Sequence, residues 1–385
     1  MLSLSNDPFL LMSNSISNKK TKEWAESGKK VAGYYCTYVP EELLHAAGFL
    51  PFRIRSTGAK DTDLADVYMV RFTCSFVRAS LNLALKGYYD FLDCFVVCNS
   101  CDHSRRMFEL FDLKVFNRDD FKKDVKKYYI SVPHVITNVG FDWYLGEIIA
   151  FKKRMEKDFK IKIEDNDLIN AIQIYNKNRE FLRKIHQYRL SKEPKLTGTD
   201  FLKIVMANAS VPKNYANQEL ERVLEILKDS PGIGVQGKKR LMLVGSVIDN
   251  VEFVELIEKS GAMVISDFLC FGLRACSDDI NFDDNESALT SIARRTYFRT
   301  SCPRMMNDHE RRLQDLLNEI KNSKIDGVIL QRINNCDLHG CDNMLYMHEL
   351  KELGIPVLNI DREWYQSDYT RLQTRIEAFI EMLEK

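Results

Sequence analysis

An excess of charge of either sign is missing from this sequence: Lys+Arg and Asp+Glu both total 55 over 385 residues, so the formal net charge is zero. A chain whose main task is to grip nucleic acid carries a basic surplus, and no basic block or interleaved aromatic patch supplies one here. Also missing is any apolar run of about 18 residues, the length a membrane-crossing helix needs. Met1 to Lys20 is rich in Ser and Asn, with one apolar patch at Phe9-Leu-Leu-Met, and lacks the basic start and long apolar core of a secretory signal. The expectation is a cytoplasmic protein with neither a nucleic-acid partner nor a membrane.

Three catalytic signatures are absent as well. There is no G-x-S-x-G elbow, and the seven histidines are scattered, so a triad hydrolase lacks support. No P-loop is present, so the chain has no ATPase motif of its own. Gly232-Ile-Gly234-Val-Gln-Gly237 precedes the strand-like Arg240-Leu-Met-Leu-Val-Gly245. A dinucleotide site needs strand, glycine turn and helix in that order, so this one does not qualify.

What is present is alternation. Val31 to Tyr35, Phe49 to Ile54, Phe91 to Val97, Tyr128 to Val132, Arg240 to Gly245, Ala262 to Cys270, Ile325 to Leu330 and Gly354 to Ile360 read as strands, most of them separated by helical patterns. Strands alternating with helices indicate parallel sheets covered on both faces, an α/β fold. From Trp143 to about Lys228 the pattern is largely helical, punctuated at Val211-Pro212 and Ser230-Pro231-Gly232. The expected division is an N-terminal helical segment over 1–30, a first α/β lobe over 31–142, a helical connecting region over 143–235 and a second α/β lobe over 236–385.

Cysteine is also present, ten residues of it. In a reducing compartment these are not disulfides, and Cys94, inside an apolar run, reads as a small buried hydrophobe. Others lie just past strands. Phe91-Leu-Asp-Cys-Phe-Val-Val-Cys-Asn-Ser leads to Cys101-Asp102, and Ile325-Asp-Gly-Val-Ile-Leu leads to Cys336-Asp337. Ligands of open α/β sheets bind beyond the carboxyl ends of the strands, so two Cys-Asp pairs suggest two related halves facing one crevice. Arg71-Phe-Thr-Cys74 matches Arg299-Thr-Ser-Cys302, each expected after an aromatic-rich strand, and Cys36 and Cys270 each come earlier on a strand-end loop.

Three thiols per half are too few for a closed four-ligand zinc site, and the CxxC at Cys98 and Cys101 has no second copy. Three suit a cubane iron–sulfur cluster with one iron left open or bridged by a non-protein group. The alternative is a coincidental alignment of core cysteines. His45, His103 and His339 lie near the cysteine loops as candidate proton donors, or as ordinary polar loop residues.

The residues also carry a resemblance. Gly33-Tyr-Tyr-Cys36-Thr-Tyr-Val-Pro40-Glu41-Glu42-Leu, Cys74-Ser-Phe-Val-Arg78 and Cys101-Asp102-His-Ser-Arg105-Arg106 resemble the 2-hydroxyacyl-CoA dehydratase/benzoyl-CoA reductase superfamily. Asp267-Phe-Leu-Cys270-Phe-Gly272-Leu-Arg274, Cys302-Pro303, Cys336-Asp337 and Thr374-Arg-Ile-Glu-Ala-Phe-Ile-Glu-Met-Leu agree. The similarity runs from about Lys30 to the C-terminus, and the motifs are specific jointly, not singly.

The resemblance implies two flavodoxin-like α/β lobes with a helical part and iron–sulfur clusters between the lobes. It also implies a separate activator that uses ATP hydrolysis to deliver low-potential electrons. A dehydratase-type subunit would hold one [4Fe–4S] cluster on the positions matched by Cys74, Cys101 and Cys336. Benzoyl-CoA reductase and double-cubane subunits share the early cysteine matched by Cys36. Six matched positions (Cys36, Cys74, Cys101, Cys270, Cys302 and Cys336) therefore imply a double-cubane [8Fe–9S] cluster, with Cys94, Cys98, Cys276 and Cys341 left over.

The expected function is an iron–sulfur catalytic subunit of an ATP-driven acyl-CoA reductase of the benzoyl-CoA reductase type. The alternatives are a 2-hydroxyacyl-CoA dehydratase subunit, a double-cubane homodimer reducing small substrates, and a non-catalytic partner subunit. The implied partners are an acyl-CoA, the activator, and a paralogous subunit or a second copy of this chain.

Overall fold

The computed structural model describes residues 4–234, 237–282, 285–364 and 369–384. Val31–Tyr34 (β1), Leu50–Arg53 (β2), Cys94–Cys98 (β3) and Lys126–Ile130 (β4) pair in the order β2-β1-β3-β4, every pairing parallel. All residues of β1, β2 and β3 are buried, which is why they read as unbroken apolar runs. Successive side chains point to opposite faces. Ala32, Tyr34, Val96 and Cys98 meet Tyr144, Ile148 and Phe151 of the helix Asn138–Phe159. Val31, Phe95 and Val97 pack on the other side with Val77, Leu81 and Phe111. Each fully buried Val, Leu, Ile or Phe contributes roughly 1.5–3 kcal/mol.

The second lobe repeats the plan. Lys239–Gly245 (β5), Ala262–Phe268 (β6), Gly327–Ile333 (β7) and Val357–Arg362 (β8) form a parallel sheet in the order β6-β5-β7-β8. Leu241, Leu243 and Ile329 pack against Ile376 and Phe379 of the helix Tyr369–Glu384. Met242, Val244 and Leu330 face Leu316 and Ile320 of the helix His309–Ser323. The two flavodoxin-like parallel-sheet lobes expected from the sequence are present. In each, strand order reverses beside the first strand, and a crevice opens past the carboxyl ends there.

Between the sheets run the helices Asn138–Phe159, Asp165–Leu190, Gly198–Asn208 and Lys213–Asp229. Thr137 starts the first by accepting from Gly140 N–H at 3.0 Å, and Thr197 starts the third by accepting from Asp200 N–H at 2.9 Å. Pro212 caps the fourth. A side chain at Gly198 would overlap Val264, so the third helix begins hard against β6. The helix Asp165–Leu190 touches both lobes, with Arg179 on Glu42 at 2.6 Å and Arg189 on Asp267 at 2.9 Å. The lobes also meet directly: Ser56 N–H donates to the Asp249 carboxylate, and the Thr57 hydroxyl donates to the Asp249 carbonyl at 3.0 Å. Among the described residues no helix is long and apolar enough to cross a membrane.

Two expected strands are not strands. Cys74 follows a turn and is itself the N-cap of the helix Ser75–Leu85, and Cys302 follows the helix Ala288–Phe298. The second case has a clear cause. Ser287 accepts from Thr290 N–H at 3.2 Å, and Leu289, Ile292, Ala293, Thr296 and Tyr297 bury one helical face.

Candidate functional site

Cysteines stand where chains leave the sheets. Cys36 lies just past β1 and Cys270 just past β6. Cys101 follows β3 and caps the helix Asp102–Leu110: its Sγ accepts from Ser104 N–H at 3.4 Å while its own N–H donates to the Ser104 hydroxyl at 3.1 Å. Cys336 follows β7 and is the N-cap of the helix Asp337–Glu352. Cys74, Cys101 and Cys336 therefore sit at helix N-termini, where the dipole favours a thiolate. The structure brings all six predicted cysteines, Cys36, Cys74, Cys101, Cys270, Cys302 and Cys336, to the wall of one cavity of about 590 Å³. Both lobes contribute to that wall.

Electrostatics divides the thiols into two neighbourhoods. Burial pushes the Cys74 thiol up, and the nearby Cys336 and Cys101 push it further. Burial likewise raises Cys101, against the pull of the Ser104 N–H, and lifts Cys336 to about 11. Cys36 behaves oppositely. A hydrogen bond from the Cys98 thiol, working against burial and helped by Arg304 and Arg53, draws it down to about 5. Burial works against the charge of Arg274, but Cys302 and Cys270 outweigh it and hold that guanidinium charged; Cys270 and Cys36 do the same for Arg53. One neighbourhood is thus Cys74, Cys101 and Cys336, and the other is Cys36, Cys270 and Cys302 with two buried cations; the two adjoin, since Cys36 also pushes Cys101 up and Cys302 pushes Cys336 up. Each draws on both lobes.

The buried arginines were not singled out as site residues from sequence. Arg53 lies 3.6 Å over the Phe271 ring and donates to the Cys270 carbonyl at 2.5 Å. Arg304 donates to the carbonyls of Val132 at 2.8 Å and Pro133 at 3.0 Å, fastening the loop after Cys302 to the end of the first sheet. The only advance signal was a charged residue closing an apolar strand, as in Leu50-Pro-Phe-Arg53.

Of the candidate proton donors, His103 and His339 line the cavity. His103 Nδ1 accepts from Cys74 N–H at 3.3 Å, which leaves Nε2 to carry the ring proton. Burial, reinforced by Arg274, drops His339 to about 3, so it is neutral. His45 is elsewhere, edge-on to Tyr175, and Glu42 is engaged by Arg179. Cys94, Cys98 and Cys276 are buried and Cys341 is exposed.

Among the described residues no three His, Cys, Asp or Glu side chains converge tightly enough for a single metal ion. The thiols ring a space instead, and soft donors in that arrangement suit a thiophilic cluster that spans it.

Residues 36–383 match the family described as 2-hydroxyglutaryl-CoA dehydratase, D-component. The chain belongs to that family. Its relatives there include the (R)-phenyllactyl-CoA dehydratase beta subunit of Clostridium sporogenes, 24% identical with 94% of each chain covered. A benzoyl-CoA reductase subunit of Thauera aromatica is 24% identical over 88% of this chain and 87% of its own. The (R)-2-hydroxyglutaryl-CoA dehydratase beta subunit of Acidaminococcus fermentans is 23% identical, with 94% of each covered. All three are named as subunits, so the family works in assemblies, and the names span both dehydration and reduction of CoA thioesters.

Proposed function

We propose that this chain is the iron–sulfur catalytic subunit of an ATP-driven, low-potential acyl-CoA reductase of the benzoyl-CoA reductase type. It would hold a double-cubane [8Fe–9S] cluster on Cys36, Cys74, Cys101, Cys270, Cys302 and Cys336. The observation that carries this reading is that six thiols, gathered from both lobes, line one cavity. When bound, a cluster of this kind supplies single electrons at potentials down to about −700 mV.

The chain's own residues do the rest. Arg53 and Arg274 offset the charge that three thiolates would concentrate around Cys36, Cys270 and Cys302. Tyr35, Phe76, Val77, Phe271 and Ile333 give the cavity an apolar lining that limits water. His103 holds a proton at Nε2 on the same wall. A separate activator would deliver the electrons, and a paralogous subunit or second copy would complete the assembly around an acyl-CoA. The free thiols support a reducing, cytoplasmic setting for this work.

A second reading has its own observation. Cys74, Cys101 and Cys336 form one electrostatic neighbourhood, and three thiolates suffice for one [4Fe–4S] cluster in a 2-hydroxyacyl-CoA dehydratase subunit. Anaerobic purification with iron and sulfide analysis and EPR separates the two. About eight irons with about nine sulfides per chain support the reductase reading. About four of each move the assignment to the dehydratase. Iron-free protein after anaerobic reconstitution sinks both.

A further inference from the structure

Behind the thiol cavity lies a second, much smaller chamber of about 40 Å³, and Thr37 and Arg53 belong to the walls of both. One water needs roughly 10–15 Å³ measured this way, so the chamber has room for about three water-sized particles and none for a thioester. Its wall carries five cationic side chains, Arg53, Arg179, Lys213, Arg295 and Arg299, against two carboxylates, Glu41 and Glu42. Arg53, Arg179, Lys213 and Arg299 are each at most 6% exposed.

Most of these cations find neutral partners. Arg295 donates to the carbonyls of Asp278 and Ala275 at 3.0 and 3.1 Å, and Lys213 donates to the Asn208 carbonyl at 3.1 Å. Arg299 donates to the carbonyls of Arg274 and Thr37 at 3.2 and 3.0 Å. Arg179 is the exception, bonded to Glu42 at 2.6 Å. Lys213 lies 3.7 Å from Glu41, and Asp279 stands 3.7 Å from Arg179 Nε, beyond hydrogen-bond reach.

Unpartnered donors belong to the same wall residues. Tyr34 Oη, Tyr175 Oη and the Nε–H groups of Arg53, Arg179 and Arg299 are buried without a hydrogen-bond partner. All of them are N–H or O–H groups, and the carboxylate of Glu41 on the same wall stands 3.7 Å from Lys213. A buried wall with five cationic side chains against two carboxylates is complementary to a small anion. Arg295 agrees: burial first, then Arg179 and Arg299, depress it to about 9, and a negative charge in the chamber relieves that repulsion.

We propose that this chamber binds one monovalent anion of halide size, chloride being the physiological case. Through Arg53 the bound anion also touches the wall of the thiol cavity, so the two spaces share one cation. The proposal does not depend on which cluster the cavity holds.

Crystals of the anaerobically purified full chain, soaked in bromide, give the first test: an anomalous difference peak is expected between Lys213, Arg179 and Arg299. Thermal unfolding in chloride and in gluconate at matched ionic strength gives the second. Above the dissociation constant, each tenfold rise in free chloride raises the folded-to-unfolded ratio about tenfold, and gluconate does not. Lys213→Met and Lys213→Gln are expected to lose that dependence. Iron is counted on the same samples, so loss of the cluster and loss of the anion are told apart. A chamber holding only water density after bromide soaking overturns the proposal. So does equal stability in chloride and gluconate, or a folded Lys213 variant that keeps the full chloride dependence.

Discussion

Past the first strand of the first lobe stands Cys36; past β5, the matching strand of the second lobe, stand Ser246 and Val247. The second lobe's early thiol, Cys270, follows β6, where the first lobe has Ile54 and Arg55 after β2. Beyond the third strands the lobes agree, Cys101 and Cys336 each standing at the N-cap of the helix that follows. The repeat therefore lives in the backbone, while the thiols are placed by the cavity they share. Matching cysteines by their order along the chain pairs Cys101 with its equivalent Cys336, but Cys36 with the unequal Cys270.

That comparison can be broken most forcefully at the equivalent pair. Cys101→Ser and Cys336→Ser should each lower bound iron and reduce activity by more than the roughly 10–100-fold typical of changes around a metal site. Cys98→Ser, altering a strand thiol off the cavity wall, should keep the iron. Iron analysis and turnover of the three variants decide; an unequal loss from Cys101 and Cys336 would break their equivalence.

Gly245→Ala tests a place where only the second lobe is tight. Gly245 has φ +125°, and a β-carbon there would overlap the Gln331 carbonyl of β7. The expected cost is about 2–4 kcal/mol. Hydrogen exchange should show β5 to β8 losing protection before β1 to β4.

The joint between the lobes supplies a pH test. Burial raises Asp249 from 3.8 to about 7, in spite of the Ser56 N–H and Arg55. Between those values the folded chain keeps a proton that the unfolded chain has released, so stability falls as pH rises through the window and stays low above it. Asp249→Asn should flatten that slope and exceed the wild type at pH 8 by on the order of 1–4 kcal/mol in urea unfolding. An unchanged slope would remove Asp249 as its source.

The smallest effect belongs to the aspartates beside the equivalent cysteines. Asp102 and Asp337 are exposed first-turn residues, so Asp102→Asn and Asp337→Asn should each cost about 0.5 kcal/mol through the helix dipole. Iron content should not change; a loss would mean that the carboxylates, too, serve the cavity.

The two sheets were legible because strands buried on both faces have to be apolar throughout, as Cys94–Cys98 is. The six thiols were legible as strand-end and motif cysteines. The segment before Cys302 was misread because Tyr297-Phe298 imitates a strand, whereas the spacing Leu289, Ile292, Ala293, Thr296 buries a helix face. The arginines were hidden for a different reason. A charged side chain is expected at the surface, and the partner that lets Arg304 be buried, the Val132 carbonyl, lies 172 residues away in sequence. No local pattern reports such a contact.

The wall of the thiol cavity is drawn from Tyr35 at one extreme and His339 at the other. A chain synthesised from its N-terminus therefore exposes Cys36, Cys74 and Cys101 long before Cys336 exists. At about 5–20 residues per second the wait after Cys101 is roughly 10–50 s. During translation these early thiols stand without the wall that later shields them, which makes the nascent chain its most oxidation-sensitive form.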